Sequence, residues 1–311
     1  MDRRAFLKNT AGALGGLATA TALSPVHSVA SPAQARPDLA VAKGESADKI
    51  VRAAVDALGG IRRFISRNDV VVIKPNMGWD RAPEFAANTN PEVMAALVKV
   101  CLEANAKTVK VLDRTSHDMR RAYVQSGIEA AVKAVGAEVI YVGGGRELQP
   151  AEARRYRSVD IPDGVSIKSW PILIDVLECD KLINVPVAKQ HSVSKLTMTF
   201  KNLMGVMGDN RGLIHQNIDI ALVDLATIVK PQLLILDAVR ILVANGPTGG
   251  NLDDVKRLDT VIAGTDPVAI DSFGATLFGM TGEDLGFVKE ASKRGMGQMD
   301  LAKLNIRKLE V

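Results

Sequence analysis

The sequence predicts an α/β fold built on a mostly parallel sheet with helices on both faces, with a small irregular or hairpin insertion. Three observations predict it. Short runs that are apolar throughout, such as residues 70–73 and 233–236, alternate with segments whose apolar residues recur at helical spacing. Runs apolar on both sides suit strands covered on both faces, as parallel strands are. Strand after strand then ends in polar residues: Lys74-Pro75-Asn76, Asp113-Arg114, Lys189-Gln190-His191, Asp237 and Asp266. In open α/β sheets ligands bind beyond the carboxyl ends of the strands, so these polar ends mark the rim where a site belongs.

The elements follow in order. Residues 37–44 read as a linker or first edge strand. Ser46 caps a helix whose stripe is Ile50, Val51, Ala54, Val55 and Leu58. Strand 70–73 follows, and Asn90-Pro91 opens a second helix as cap and first-turn proline. Strand 109–112, a helix near 128–135 and strand 138–142 come next, the last stopping at Gly143-Gly144-Gly145, which lacks the spacing of a dinucleotide fingerprint. Residues 147–175 are the insertion, with a hairpin turning at Pro162-Asp163-Gly164. Strand 182–187 then delivers Lys189 and His191 just past its end, next to the start of a helix near Ser192. That helix carries Leu196, Phe200, Leu203, Met204 and Met207 as its apolar stripe. A helix over 218–229, strand 233–236, the loop 245–250, strand 260–263 and helices near 268–277 and 284–293 complete the chain.

Composition narrows the function. The 311 residues are 47% hydrophobic and 4% aromatic, enough apolar material for one large core or two modest ones. Arg3, Arg4 and Lys8 against Asp2 supply half of the net charge of +4. No basic run with interleaved aromatics occurs, so nucleic acid is not an expected partner. The start, Arg3-Arg4-Ala5-Phe6-Leu7-Lys8, resembles a twin-arginine export motif. The Ala/Gly-rich run 10–23 is too short and too weakly apolar to span a membrane stably, and Ala33-Gln34-Ala35 offers a cleavage site. The expectation is a twin-arginine signal peptide over 1–35 and one α/β domain over 36–311. The mature protein is expected to be periplasmic or otherwise extracytoplasmic, delivered by the Tat translocation machinery and without a membrane span. Cys101 and Cys179 are the two cysteines, neither in a Cys-x-x-Cys pair, so thiols supply no iron–sulfur or zinc framework. They are expected to be buried free thiols, with a disulfide as the alternative.

Several motifs carry a family resemblance. Lys74-Pro75-Asn76, the run 184–191, Thr197 with Lys201-Asn202-Leu203-Met204-Gly205, the loop Asn245-Gly246-Pro247, and the run 264–271 resemble, in order, the domain-of-unknown-function family 362. Many members of that family carry an export leader and others are fused to ferredoxin-like iron–sulfur modules, and this chain lacks the cysteines for such a module. The resemblance implies a fold class and no reaction. A more distant similarity is to the lactate racemases, in which a His precedes a Lys bearing a nickel-pincer cofactor and a further His binds the metal. His191, Lys201 and His215 have a comparable order here, with His117 upstream as a second acid/base. The Gly-Gly-Arg-Lys and Pro-Gly elements of the racemases are absent around Lys201.

The site residues follow from these readings. His191, Lys201, His215 and His117 are the candidate catalytic groups, since imidazole titrates near neutrality. Lys74, Asn76, Asp113, Lys189, Asn202, Asp237, Asn245, Gly246, Asp266 and Asp271 are the candidate ligand-binding groups. Lysines and amides at strand tips suit a carboxylate or phosphate. Asp266 is also well explained as a helix cap, and the glycine loop as a plain turn. His191 and His215 could hold a divalent metal or, by the racemase similarity, a nickel-type cofactor. The expected function is a cofactor- or metal-dependent enzyme, racemase-like, isomerase-like or redox, acting on a small anionic substrate. The alternative is a non-catalytic module that binds a metal or cofactor for a redox partner.

Overall fold

A computed structural model describes residues 36–143 and 150–311. The expected export leader, Gly144-Gly145 and the first residues of the expected insertion lie outside the described residues. Twelve strands are described: β1 (Leu39–Lys43), β2 (Val70–Pro75), β3 (Thr108–Arg114), β4 (Glu138–Val142), β5 (Tyr156–Asp160), β6 (Ser169–Leu173), β7 (Lys181–Val185), β8 (Val187–His191), β9 (Lys195–Thr197), β10 (Leu233–Leu242), β11 (Val255–Gly264) and β12 (Ile306–Glu310). The α-helices are α1 (Ala47–Ala57), α2 (Pro91–Glu103), α3 (Met119–Gln125), α4 (Ile128–Ala134), α5 (Pro150–Ala153), α6 (Ile174–Leu177), α7 (Thr199–Asn202), α8 (Ile218–Ile228), α9 (Pro267–Thr276) and α10 (Gly286–Lys293).

Ten strands form one sheet, ordered β12-β1-β11-β10-β7-β2-β3-β4, with β8 continuing beside β10 and β9 beside β8. Parallel pairs predominate, and the antiparallel ones are β1–β11, β10–β11 and β8–β9. The fold is therefore the expected α/β type. Alternation along the strands feeds two cores. Val71 and Ile73 face one, with α1 and α2, while Val72 faces the other, with α8, α9 and α10. Each of these side chains is fully buried, which stabilises the fold by about 1.5–3 kcal/mol apiece. Caps fix where helices begin. Ser46 Oγ accepts from Lys49 N at 3.4 Å, and Asn90 Oδ1 from Glu92 N at 2.8 Å ahead of Pro91. A cap of this kind contributes about 1 kcal/mol. The insertion contains the expected hairpin, β5 pairing with β6 antiparallel.

The structure differs from expectation in three places. Residues 39–43 are an interior strand, held between β11 and the unforeseen β12. The expected strand 182–187 is broken at Pro186, whose ring removes a ladder donor. Beyond it the chain starts a new strand, β8, so Lys189 and His191 lie within a strand and not past one. The long helix expected after Ser192 does not form. Residues 192–194 turn tightly, Lys195 adopts φ 60, and β9 pairs back on β8. A single helical turn, α7, then runs into a 3-10 turn at Leu203–Val206. The apolar residues are buried as their spacing implies, but they follow a hairpin and turns, and β-branched Thr197 and Thr199 together with Gly205 and Gly208 disfavour continuous helix. Cys101 is buried in α2, and Cys179 follows α6 on the other face of the sheet; both are free thiols. Among the described residues no helix is long and apolar enough to cross a membrane.

Candidate functional site

The carboxyl ends of β2 and β3 and the hairpin β8–β9 converge on a cavity of about 470 Å³. The loop after β2, α7, the 3-10 segment Arg211–Asn217 and Pro247 complete its walls. Five cationic side chains line it: Lys74, Arg114, Lys189, Lys201 and Arg211. Asp113 is the one carboxylate of that lining.

Its floor is a buried polar network. Lys74 Nζ pairs with Asp113 Oδ1 at 2.8 Å and donates to Pro75 O at 2.7 Å and Asn202 Oδ1 at 2.9 Å. Asp113 Oδ2 accepts from Met77 N at 2.6 Å. Asn202 Nδ2 donates to Asn184 Oδ1 at 2.7 Å, and Asn184 Nδ2 to Thr199 O at 2.9 Å. Asn76 Nδ2 reaches Asn202 Oδ1 at 3.2 Å. Gly205 lies against this pair so closely that a Cβ there would fall 1.8 Å from Asp113 Oδ1 and 2.5 Å from Lys74 Nζ. Only a glycine admits that approach of backbone to ion pair.

Lys189 is buried under Trp79, its ammonium 5.3 Å from the ring centroid, a cation–π contact. Its Nζ donates to Ala87 O, to Pro247 O at 3.1 Å and to Asn76 Oδ1 at 3.3 Å. All three donors of Lys74, and all three of Lys189, are therefore spent on the protein. Arg211 is similarly engaged, with Arg114 O at 2.9 Å, Met204 O at 3.0 Å and Thr115 O at 2.9 Å. Lys201 is different. Its Nζ donates to Met204 Sδ at 3.0 Å, a weak acceptor, and no other hydrogen bond of that amine occurs among the described residues.

Burial governs the protonation of these groups. It lowers Lys74 to about 8 against the opposing pull of Asp113, and lowers Lys189 well below the usual lysine range. Lys201 falls to about 7, first through burial and then through the charges of Arg211 and Lys74. His191 is lowered to about 3 by burial and by Lys201, and His215 is lowered by the same two causes in the same order.

The two imidazoles lie nearly parallel with centroids 6.1 Å apart, but they hold opposite tautomers. His191 Nδ1 accepts from Val193 N at 3.1 Å and Ser194 N at 3.3 Å, which leaves its proton on Nε2. His215 Nδ1 faces Gly212 O at 3.0 Å, a carbonyl that can only accept, so its lone pair is on Nε2. A metal-ligating imidazole donates from its second nitrogen, as His215 does and His191 does not. Among the described residues no group of three or more His, Cys, Asp or Glu could hold a metal ion. The donor set, cationic with one suitably oriented imidazole, does not fit a divalent cation held by side chains alone.

Of the residues singled out from sequence, Lys74, Asn76, Asp113, Lys189, His191, Lys201, Asn202 and His215 meet in the cavity. The others lie elsewhere. His117 packs edge-on against Trp79 at 4.9 Å and accepts from Asp80 N. Asp237 is buried beside α2, accepting from Asn90 N at 2.6 Å and Val239 N at 2.9 Å. Asp271 accepts from Thr199 N at 2.9 Å, Thr199 Oγ1 at 2.6 Å and Phe200 N at 3.2 Å, fixing the start of α7. Asp266 caps α9 through Ala269 N at 2.9 Å. Asn245 bonds Asp254 at 2.7 Å, and Gly246 N bonds Gln190 Oε1 at 2.7 Å, which holds the loop that carries Pro247. The sequence reading does not single out Arg114, Arg211 or Trp79 as site residues. Arg211 has the clearest signal, in the glycine-flanked run Gly208-Asp209-Asn210-Arg211-Gly212 between His191 and His215.

Fold and cavity define an α/β protein with a cationic site at the carboxyl edge of a mostly parallel sheet. The profile described as "Domain of unknown function (DUF362)" matches residues 71–276, and the chain belongs to that family. It is 27% identical over 229 residues to the thylakoid-associated protein sll1697 of Synechocystis sp., covering 71% of this chain and 66% of that relative. Among solved structures it is similar to the lactate racemase apoprotein of Thermoanaerobacterium thermosaccharolyticum, with 12% identity and a TM-score of 0.43, covering 74% of this chain and 54% of that one. It is also similar to a protein of Thermotoga maritima solved by structural genomics, with 11% identity, a TM-score of 0.39 and coverage of 81% and 60%. The chain thus spans less than two thirds of the length of each of these proteins.

Proposed function

We propose that the cavity binds a small anion, a carboxylate or phosphate compound or an anionic cofactor, and that the protein is an enzyme acting on it. One observation carries this reading: five cationic side chains face a single carboxylate in one partly enclosed space. Gathering like charges away from water is costly, and a bound anion removes much of that cost. The buried Thr197 Oγ1 lines the same cavity with no hydrogen-bond partner among the described residues, an open position for a ligand. Lys74, Lys189 and Arg211 contribute their field, since their donors are largely committed to the protein. His191 Nε2–H and Thr197 Oγ donate hydrogen bonds. His215, with its free Nε2 lone pair, is the acid/base group.

The test is titration calorimetry with phosphate, malonate and acetate at constant ionic strength, using chloride as the control. Saturable binding at one site per chain, strongly weakened in Arg211→Ala, is the expected result. Stabilisation that follows ionic strength alone would sink the reading. Turnover then separates an enzyme from a module that only stores the ligand.

The address is part of the proposal. A twin-arginine leader over 1–35 and a mature domain from about Arg36 rest on Arg3-Arg4, the apolar run and Ala33-Gln34-Ala35. N-terminal sequencing of the protein from the host's exported fraction checks it. A chain that retains Met1 in the cytoplasm would overturn it.

A further inference from the structure

Lys201 has chemistry left over after the anion has been accounted for. Lys74 and Lys189 are each anchored through three oxygen acceptors, which hold their amines in place and away from a bound carbonyl. Among the described residues Lys201 Nζ bonds neither carboxylate nor carbonyl. Its contact with the Met204 thioether suits a neutral amine, because sulfur accepts weakly from an N–H and offers little to a full charge. The amine lines the same cavity as His215, whose Nε2 lone pair can take a proton, and Arg211, whose guanidinium opposes a second positive charge nearby. An uncharged amine, a proton acceptor and a cationic field for an attached anion are the three parts that imine chemistry needs.

We propose that Lys201 forms a covalent imine with a small carbonyl compound that carries a carboxylate or phosphate, an inference that rests on the anion-binding reading of this cavity. The Lys201 nitrogen lone pair adds to the carbonyl carbon, forming the C–N bond while the C=O π pair moves to oxygen. That oxygen takes a proton from solvent and becomes the hydroxyl of a carbinolamine, and this added proton accounts for the charge of the iminium that follows. His215 Nε2 removes a proton from the nitrogen and delivers it to the hydroxyl, which leaves as water as the C=N bond forms. No oxidant or reductant is consumed, and hydrolysis reverses the sequence. The iminium then withdraws electrons from the neighbouring carbon, where a proton or a carboxylate can be lost.

The low affinity of Lys201 for a proton, lowered to about 7, supplies a free amine near neutrality. The titratable groups that share its cavity are Lys74 from β2, Asp113 from β3, Lys189 and His191 from β8, and Arg211 and His215 from the 3-10 segment. Five of the six are cations or imidazoles, and the charges of Arg211 and Lys74 favour the neutral amine.

The experiment is reductive trapping on the full mature chain. Pyruvate or dihydroxyacetone phosphate is added with sodium cyanoborohydride, and intact mass is followed by peptide mapping. One reduced adduct per chain, mapping to Lys201, is expected, and whichever compound reacts identifies the anion. The adduct should disappear in Lys201→Arg and persist in Lys256→Arg, a lysine on β11 away from the cavity. The trapping rate should rise with pH through about 7, where this amine loses its proton. No adduct with either compound, or adducts scattered over exposed lysines and unchanged in Lys201→Arg, overturns the imine. Phosphate calorimetry on wild type and Lys201→Arg separates the two readings. If phosphate binds and no adduct forms, the imine alone fails; if phosphate does not bind either, the anion cavity fails with it.

Discussion

Asp271 and Lys201 are ionisable neighbours of the same helical turn, and the protein treats them in opposite ways. Asp271, fully buried in α9, receives two backbone amides and a hydroxyl from Thr199 and Phe200. Asp224 is built alike, with the amides of Val165, Ser166 and Ile167 and the guanidinium of Arg294 around it. Asp237 and Asp266 also hold pairs of amides. These buried or half-buried acids are closed structures that tie a turn or helix start to a neighbouring element. The cationic cavity a few residues away is open: its charges exceed its counter-charges, and Lys201 and Thr197 keep polar atoms uncommitted. Buried charge with its hydrogen bonds complete stabilises a shape, whereas buried charge left incomplete waits for a ligand.

That contrast can be broken by substitution. The largest effect belongs to the closed side. Asp271→Ala strands the amides of Thr199 and Phe200 and is expected to cost about 3 kcal/mol in urea unfolding. A cost below about 1 kcal/mol would show that the acid does not organise the turn. On the open side, Arg211→Ala should weaken phosphate binding about 100-fold, or about 2.7 kcal/mol, by calorimetry. Near-wild-type unfolding of that variant would assign the loss to the ligand. Lys201→Met should behave the other way for stability, raising it by about 1 kcal/mol at pH 6. The sign follows from the lowered folded value of about 7. Above that pH the unfolded chain holds the proton that the fold has shed, so wild-type stability rises from pH 7 towards the unfolded lysine value of about 10.4. The variant lacks that rise, and the gap between the two curves should close with increasing pH. The smallest effect is on the ligand itself. Anion affinity should fall by less than about tenfold as pH rises from 7 to 8, because Lys201 and Lys74 give up protons at about 7 and about 8. An affinity flat to pH 9 would place the binding charge on the arginines alone.

The sheet was legible because its interior strands are apolar on both faces and its helices start at caps such as Ser46 and Asn90. The cavity was legible in part for the same reason, since a lysine or asparagine at the end of an apolar run needs an explanation. What the pattern hid was tertiary. Leu196, Phe200, Leu203 and Met207 have helical spacing, and buried turns after a hairpin can satisfy the same spacing. Asp237 and Asp271 look like site carboxylates in sequence because an acid among apolar residues is rare, yet their partners are backbone amides, which no side-chain pattern announces. Arg211 was overlooked because it lies in a polar, glycine-flanked stretch without periodicity. β12 lies in the charged run Ile306-Arg307-Lys308-Leu309-Glu310, where no element was expected, and its pairing with β1 joins segments more than 260 residues apart.

That last pairing bears on how the protein is made. β1 leaves the ribosome well before both of its neighbours, β11 and β12. Leu39 pairs with Gly264 on one side and with Ile306 on the other. At about 5–20 residues per second, a nascent chain carries this apolar strand without a mate through most of synthesis. Its contacts form late and across long distances in sequence, which slows folding. Residues 39–43 thus wait for partners made more than 200 residues later, an interval in which a chaperone can hold them.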